Sequence, residues 1–461
     1  MPFCRPARWR YRPLAFTAAF AASLLIGTNL PALAQEIPIL RDTETEEMLK
    51  SYEQPLAKAA GLNPDAVRVW LVGDPEVNAF AAFGQNIFIQ SGIILYVKSP
   101  NELIGVMAHE TGHIKAGHLV RDSVGMANAM VPMLLSMIVG VAAMIAGAGE
   151  AGMVLMGMGQ AIAQAQFAQF SRIQESTADQ IAMQLLLATH QSPQGIYDTF
   201  ARFAQEDAQR DIRYKPDPYA ADHPVDQQRL ADIQDKLEAS PYKDVKDSPA
   251  VTHTFEMVQG KLAGFTLPVK EGLNRYPESN TSEVARYART MLYLRQPQLQ
   301  KALAETASLI QDEPNNPYFY EVQGQIYLSM ARPADAIPAY LKAVALRPQA
   351  PQLRLELAVA QLATDRPDMS QQALANLKVA SLVENDDVFT WYETAQAYSN
   401  LKNTPMANLS TAESYYAAGA MAQAAQFAAR ARRDLTQGTP DWERANDILS
   451  AAGPQAKQQQ Q

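Results

Sequence analysis

Apolar and polar positions change rhythm several times along this chain. Between Asp65 and Val97 the runs VRVWLVG (67–73), NAFAAF (78–83) and NIFIQSGIILYV (86–97) are β-branched and aromatic, with Gly84-Gln85 between the last two. This pattern predicts a small sheet containing a hairpin. From Ser99 the spacing becomes helical. Ser99 stands at a cap, Pro100 falls in the first turn, and Leu103, Ile104, Met107 and Ala108 line one face. Residues 241–280 lose apolar density and gain Pro, Lys and Asp, which predicts a linker with one short helix over 254–263.

Beyond the linker the chain is rich in Ala, Leu and Gln, and it repeats. Tyr293 and Tyr327, Ala302 and Ala336, and Pro314 and Pro348 are each 34 residues apart, the period of tetratricopeptide helix pairs. The unit from Pro317 carries Tyr320, Gly324, Tyr327, Ala336, Tyr340, Ala343 and Pro348. Its small residues let paired helices approach, its aromatics fill the space between pairs, and its proline ends the second helix. A third unit from about Pro351 fits if an insertion is allowed near Asp365–Asp368, and a fourth begins at Trp391. The predicted fold class is therefore α+β, mainly α, ending in an α-solenoid over 281–440 and a disordered tail over 453–461.

The N-terminus changes the compartment. Arg5, Arg8, Arg10 and Arg12 precede an apolar run of about 14 residues and the small residues Ala32 and Ala34. This reads as a secretory signal peptide over 1–34, cleaved after Ala34, because the run is shorter than the roughly 20 residues that span a bilayer. Cleavage would remove Cys4, the only cysteine, and leave no disulfide. Losing those four arginines would take the formal charge from -9 to -13, which argues against nucleic-acid binding. Residues 123–171 carry one charged side chain, Glu150. Three readings compete for the stretch 123–165: a buried helical hairpin, a hairpin touching a membrane surface, and a true span.

The chemistry sits on the helix after Ser99. His109-Glu110-Thr111-Gly112-His113 puts two imidazoles four residues apart on one helical face, where both can ligate one ion. Glu110 falls beside the metal, placed to take a proton from water, as a zinc hydrolase requires. A third protein ligand is needed, and the candidate is Glu175, with Asp179 four residues on to hydrogen-bond the far nitrogen of a ligating histidine. Spacing alone leaves both acids open to a different reading, as a solvated helix face. His118, His190 and His253 read as structural or surface residues, His223 as part of a His-Pro turn, and Arg229 as a surface charge.

In order, NAFAAFGQNIFIQSGII, NELIGVMAHETGHIKAGH, the apolar stretch, SRIQESTADQIAMQLL and the His-Pro loop resemble the M48 metallopeptidases, over nearly the whole chain after the leader. The resemblance implies a zincin-like domain over 35–240, one zinc ion per chain on His109, His113 and Glu175, and Asp179 behind them. It also implies that His223 can take the fourth zinc position and hold the enzyme latent, and that Arg229 stabilises the oxyanion. Hydrolysis of peptide bonds in misfolded or stalled envelope proteins is the expected activity, in the periplasm. The strand Asn86, Ile87, Phe88, Ile89 and Gln90 is expected to pair with extended substrate. The repeats would bind clients or an outer-membrane assembly machine, and 123–165 would supply any peripheral membrane contact. The rival expectation is a chaperone or scaffold that works through the repeats with its protease shut.

Overall fold

The computed structural model describes residues 38–118, 171–209, 219 and 222–458, with side chains to 452. The leader and the apolar stretch 123–165 lie outside the described residues. Among those described, no helix is long and apolar enough to cross a membrane.

The first part holds helix α1 (Thr43–Ala60), strands β1 (Arg68–Val72), β2 (Ala79–Ala82) and β3 (Asn86–Gln90), then α2 (Ser91–Tyr96) and α3 (Pro100–Ala116). After these come α4 (171–188), α5 (Gln194–Gln209) and α6 (Gln227–Ala239). The strand order is β1-β3-β2, with β3 parallel to β1 and antiparallel to β2. The expected hairpin is β2–β3, turned by Phe83 and Gly84, both at positive φ. The strand order corrects one expectation, because Asn86–Gln90 is the central strand. Both rows of its backbone groups are committed to neighbours, so it has no edge to offer a substrate. Among the described residues the outer edge of β2 carries no strand.

Helix α3 is capped as its sequence predicts. Ser99 accepts from the Glu102 amide, Pro100 opens the first turn, and Gly117 closes the helix at φ 69°. Every residue from Glu102 to His113 is buried, with the helix packed against α1, the sheet and α5.

The segment expected to be a linker is mostly helix: α7 (Pro249–Thr266) and α8 (Val269–Arg275). Phe255, Val258 and Leu262 of α7 enter the core of the first part, while Met257 enters the core of the repeats. One helix therefore belongs to two cores, dividing its apolar side chains between two stripes.

The repeats run as α9 (Glu283–Arg295) with α10 (Leu299–Asp312), α11 (Pro317–Ser329) with α12 (Pro333–Leu346), and α13 (Pro351–Leu362) with α14 (Pro367–Val383). They continue with α15 (Val388–Asn400), α16 (Thr404–Ala417), α17 (Met421–Asp434) and α18 (Pro440–Gln458). Helix α18 extends through most of the segment expected to be a disordered tail. Glu283, Pro317 and Pro351 begin 34 residues apart, and Gly324 lies directly under the Tyr340 ring, where a Cβ would come within 2.5 Å. The insertion expected near Asp365–Asp368 is elsewhere: α14 is 17 residues long against 14 for α12.

That lengthened end of α14 leads into a loop that reaches the first part. Arg41 is bound by Glu384 at 2.8 Å and lies 3.5 Å from Asp387, and Arg68 pairs with Asp386. Behind this contact, buried Lys261 of α7 meets Asp42, Glu44 and Glu321, with the Tyr287 hydroxyl donating to Glu44 at 2.7 Å. The repeats are thus tied to the start of α1 by charges that desolvation makes costly to separate.

Candidate metal centre

Four side chains from three elements converge in the interior. His109 Nε2 is 3.0 Å from His113 Nε2, 3.3 Å from Glu175 Oε2 and 3.4 Å from His223 Nδ1. Glu175 Oε2 is 3.1 Å from His223 Nδ1, and Glu175 Oε1 is 3.4 Å from His113 Nε2. Ligands at about 2.0–2.1 Å from one tetrahedral centre stand about 3.3–3.4 Å apart, so these edges fit a metal ion held by three imidazoles and a carboxylate. All four residues are buried.

Helix geometry supplies His109 and His113, one turn apart on α3. Glu175 comes from α4, which lies against α3 because Gly112 has no side chain. A Cβ there would meet the Ala178 carbonyl oxygen at 2.7 Å, and Ala178 sits between Glu175 and Asp179. Gly112→Ala is expected to push α4 away, costing about 1–3 kcal/mol of stability by overpacking and weakening metal affinity together with activity. Metal titration and thermal melts check this; unchanged metal affinity would show that the close approach does not position Glu175.

The electrostatics answer to the same geometry. Burial alone would push His109 down, but hydrogen bonds and charge from Asp179 and Glu175 outweigh it and take the imidazole up to about 10. Burial also opposes ionisation of Glu175, yet His109 and His223 hold its carboxyl far below the usual range. His113 is driven down by burial and by the charges of His109 and His223. Such a set of facing acceptors calls for a positive centre.

Glu110 lies beside the four and is fully buried. The Ala81 amide faces its carboxylate without closing a well-formed hydrogen bond, no side chain bonds either oxygen among the described residues, and His223 Nε2 is 3.7 Å from Oε1. Burial raises its proton affinity above that of an ordinary carboxylate.

Residues 43–237 match the profile of Peptidase family M48. Over 193 residues the chain is 30% identical to Metalloprotease LoiP of Escherichia coli K12, covering 41% of this chain and 70% of that protein. The chain belongs to peptidase family M48. It is also similar to the beta-barrel assembly-enhancing protease of Escherichia coli K12, 25% identical over 408 residues, or 87% of this chain and 82% of that one. A solved thermophilic TPR protein of Thermus thermophilus aligns at 17% identity and a TM-score of 0.24, over 42% of this chain and 91% of its own.

Around the metallopeptidase site stands a ring of supporting groups. Asp179 Oδ1 lies 2.9 Å from His109 Nδ1, in reach though poorly aligned. Arg229 grips both Asp179 oxygens at 2.7 and 2.9 Å, donates to the Pro224 carbonyl at 2.6 Å, and lies 3.2 Å from Glu175. It is buried, unlike the surface charge its sequence position suggests. The His223 loop is held further by the His223 amide donating to the Tyr219 carbonyl at 2.7 Å and by Asn78 donating to Asp222 at 2.9 Å.

His118, structural or surface by its sequence position, reaches the back of the site. Its Nδ1 lies 3.0 Å from Nδ1 of His113, the nitrogen turned away from the centre. Because Gly117 ends α3 in the left-handed region, the chain folds back and returns His118 to a face that continued helix would have denied it. Gly117, standing directly before His118, is the one signal in the sequence that points to this return. His253 pairs instead with Glu313 at 3.0 Å on the repeat side, remote from this chemistry.

Proposed function

We propose that this chain is a zinc-dependent endopeptidase of the bacterial envelope that cuts misfolded or stalled proteins there, with His109, His113 and Glu175 as metal ligands. The convergence of those three residues with His223, with the buried carboxylate of Glu110 beside them, carries the reading. Zinc is the first choice for a set of imidazoles and one carboxylate, and when bound it supplies Lewis acidity at the scissile carbonyl. Glu110 takes the proton of the attacking water and passes it to the leaving amine.

Extended substrate pairs with the outer edge of β2, Ala79–Ala82, where the Ala81 amide faces Glu110. Backbone pairing explains tolerance of side-chain sequence. Leu382, Val383, Phe389 and Tyr392 give the repeat part exposed apolar surface for clients or for an assembly machine. The relatives' printed names, a beta-barrel assembly-enhancing protease and a metalloprotease, agree with metal-dependent proteolysis, and the first also with a part in beta-barrel assembly. Arg229 serves the oxyanion only once it releases Pro224.

One observation favours a second reading, a repeat-based chaperone with a latent protease: a ring nitrogen of His223 lies within 4.8 Å of the ligand atoms of the other three residues, where it could fill the fourth position. Casein hydrolysis by the protein from Gln35 onward, with metal content read on the same samples, tests the primary reading. Chelation should abolish cleavage, and about one zinc per chain should restore it. Zinc-loaded protein that cuts nothing, even with His223 replaced, would leave the chaperone reading standing.

A further inference from the structure

Behind α3, on the side away from the metal ligands, Glu53 of α1 is buried against the middle of the His-Glu-Thr-Gly-His motif. The Thr111 hydroxyl oxygen is 2.8 Å from Glu53 Oε1 and 2.7 Å from the Met107 carbonyl oxygen. One hydroxyl proton cannot serve both neighbours. The carbonyl can only accept, so Thr111 donates to Met107, and the remaining bond needs a proton on Glu53. Glu53 Oε2 has no partner among the described residues, which an ionised carboxylate in this interior would not tolerate but a carboxylic acid can.

We propose that Glu53 is a positioning residue of the peptidase reaction: held as a neutral carboxylic acid, it fixes Thr111 by donating to it and keeps a second negative charge away from Glu110. This deepens the proposed peptidase function and rests on it. Burial pushes Glu53 up to about 8, against a weaker opposing effect of Thr111 and reinforced by the charge of Glu110. Glu110 of α3 is the one other charged group acting on Glu53 among the described residues of the elements packed around it. An ionised Glu53 has no proton to donate, so it would break the Glu53, Thr111, Met107 chain and release the middle of the motif, which disfavours turnover.

The linkage has a definite sign. A carboxyl at 4.5 in the unfolded chain and about 8 in the folded one stabilises the fold fully below 4.5, and this contribution is lost as pH rises through about 8. Glu53→Gln keeps a donor for Thr111 and cannot ionise. Glu53→Leu keeps neither the donor nor the charge.

Zinc-loaded wild type, Glu53→Gln and Glu53→Leu are compared by infrared spectroscopy of the protonated carboxyl stretch, by casein turnover across pH, and by melting across pH. The wild type should show a buried carboxylic-acid band at about pH 7 that is missing from Glu53→Gln and fades towards about pH 9. Its kcat should fall about tenfold over that alkaline range while Glu53→Gln holds, and Glu53→Leu should be about tenfold slower at neutral pH. A wild-type spectrum unchanged by Glu53→Gln, or an alkaline decline that Glu53→Gln shares, overturns the proposal. The band is read on protein that need not turn over. If no variant cuts casein, the peptidase reading fails while the band still decides where the proton is.

Discussion

Replacing Glu110 by Gln should lower casein turnover by about 10²–10⁴-fold while leaving bound zinc and the fold as they are. The size follows from the role: a positioned carboxylate that carries a proton from water to the leaving nitrogen has no substitute among the neighbouring groups, and an amide of the same shape cannot accept that proton. The unchanged metal content follows from the geometry. Glu110 is not one of the four converging residues, and the one group turned to its oxygens from the fold, the Ala81 amide, can be accepted equally by the amide oxygen of Gln. Burial already disfavours its ionised form, so the amide should melt at the same temperature as wild type or slightly above. Turnover, metal stoichiometry and a melt on one preparation suffice. If Glu110→Gln sheds zinc, then Glu110 helps to hold the metal and the assignment of base and ligands must be redrawn; if it cuts casein at the wild-type rate, another group is the base.

The same variant separates the two readings of the protein in cells. A chaperone acting through its repeats should keep its role with Gln at this position, and a protease should not. Truncation after about Tyr276 should have the opposite effect under the chaperone reading, although α7 also carries part of the peptidase core and must be retained whole.

Much of the architecture was legible because the relevant forces are local. Ser99, Pro100 and Gly117 mark the ends of α3 by capping alone, and the four-residue step from His109 to His113 follows from one helical turn. The hairpin at Phe83 and Gly84 and the 34-residue rhythm of the repeats are local in the same sense. Strand order is not. The runs at 67–73, 78–83 and 86–97 announce three strands, but nothing in their composition says that the last one slots between the other two, which is why Asn86–Gln90 looked available to a substrate.

Glu175 occupies a middle position. Its four-residue relation to Asp179 is local, but its distance from His109 depends on α4 lying against Gly112, a contact between residues far apart in sequence. Spacing could nominate the pair without bringing it to the metal. The linker expectation failed for a related reason, since an apolar residue count cannot distinguish an exposed segment from a helix such as α7 that divides its apolar side chains between two cores. In the repeats, the three extra residues lengthen α14 and carry Glu384 to Asp387 onto Arg41 and Arg68, a use visible only once both partners are placed.

His223→Ala should raise casein turnover about tenfold or more, with zinc still bound. A catalytic zinc needs three protein ligands and one open position, and in the proposed site His109, His113 and Glu175 would provide the three. On the proposed reading the fourth falls to His223, whose Nδ1 is 3.1 Å from Glu175 and 3.4 Å from His109 Nε2. Its loop is secured by Arg229 on the Pro224 carbonyl, by Asn78 on Asp222 and by the Tyr219 carbonyl, so leaving costs several hydrogen bonds at once. If those contacts favour the closed loop by about 1.4 kcal/mol, only about one molecule in ten is competent, and removing the imidazole recovers the missing tenfold. Opening the loop also frees the Arg229 group that holds Pro224, so the oxyanion role expected of Arg229 and the latch expected of His223 exclude each other in time. The gain should therefore appear in kcat/KM for wild-type Arg229 and shrink when Arg229 is replaced by Lys, which keeps the charge but cannot span Asp179 and a second acceptor together. Full zinc occupancy in His223→Ala with no gain in cleavage would mean that the loop does not limit the enzyme.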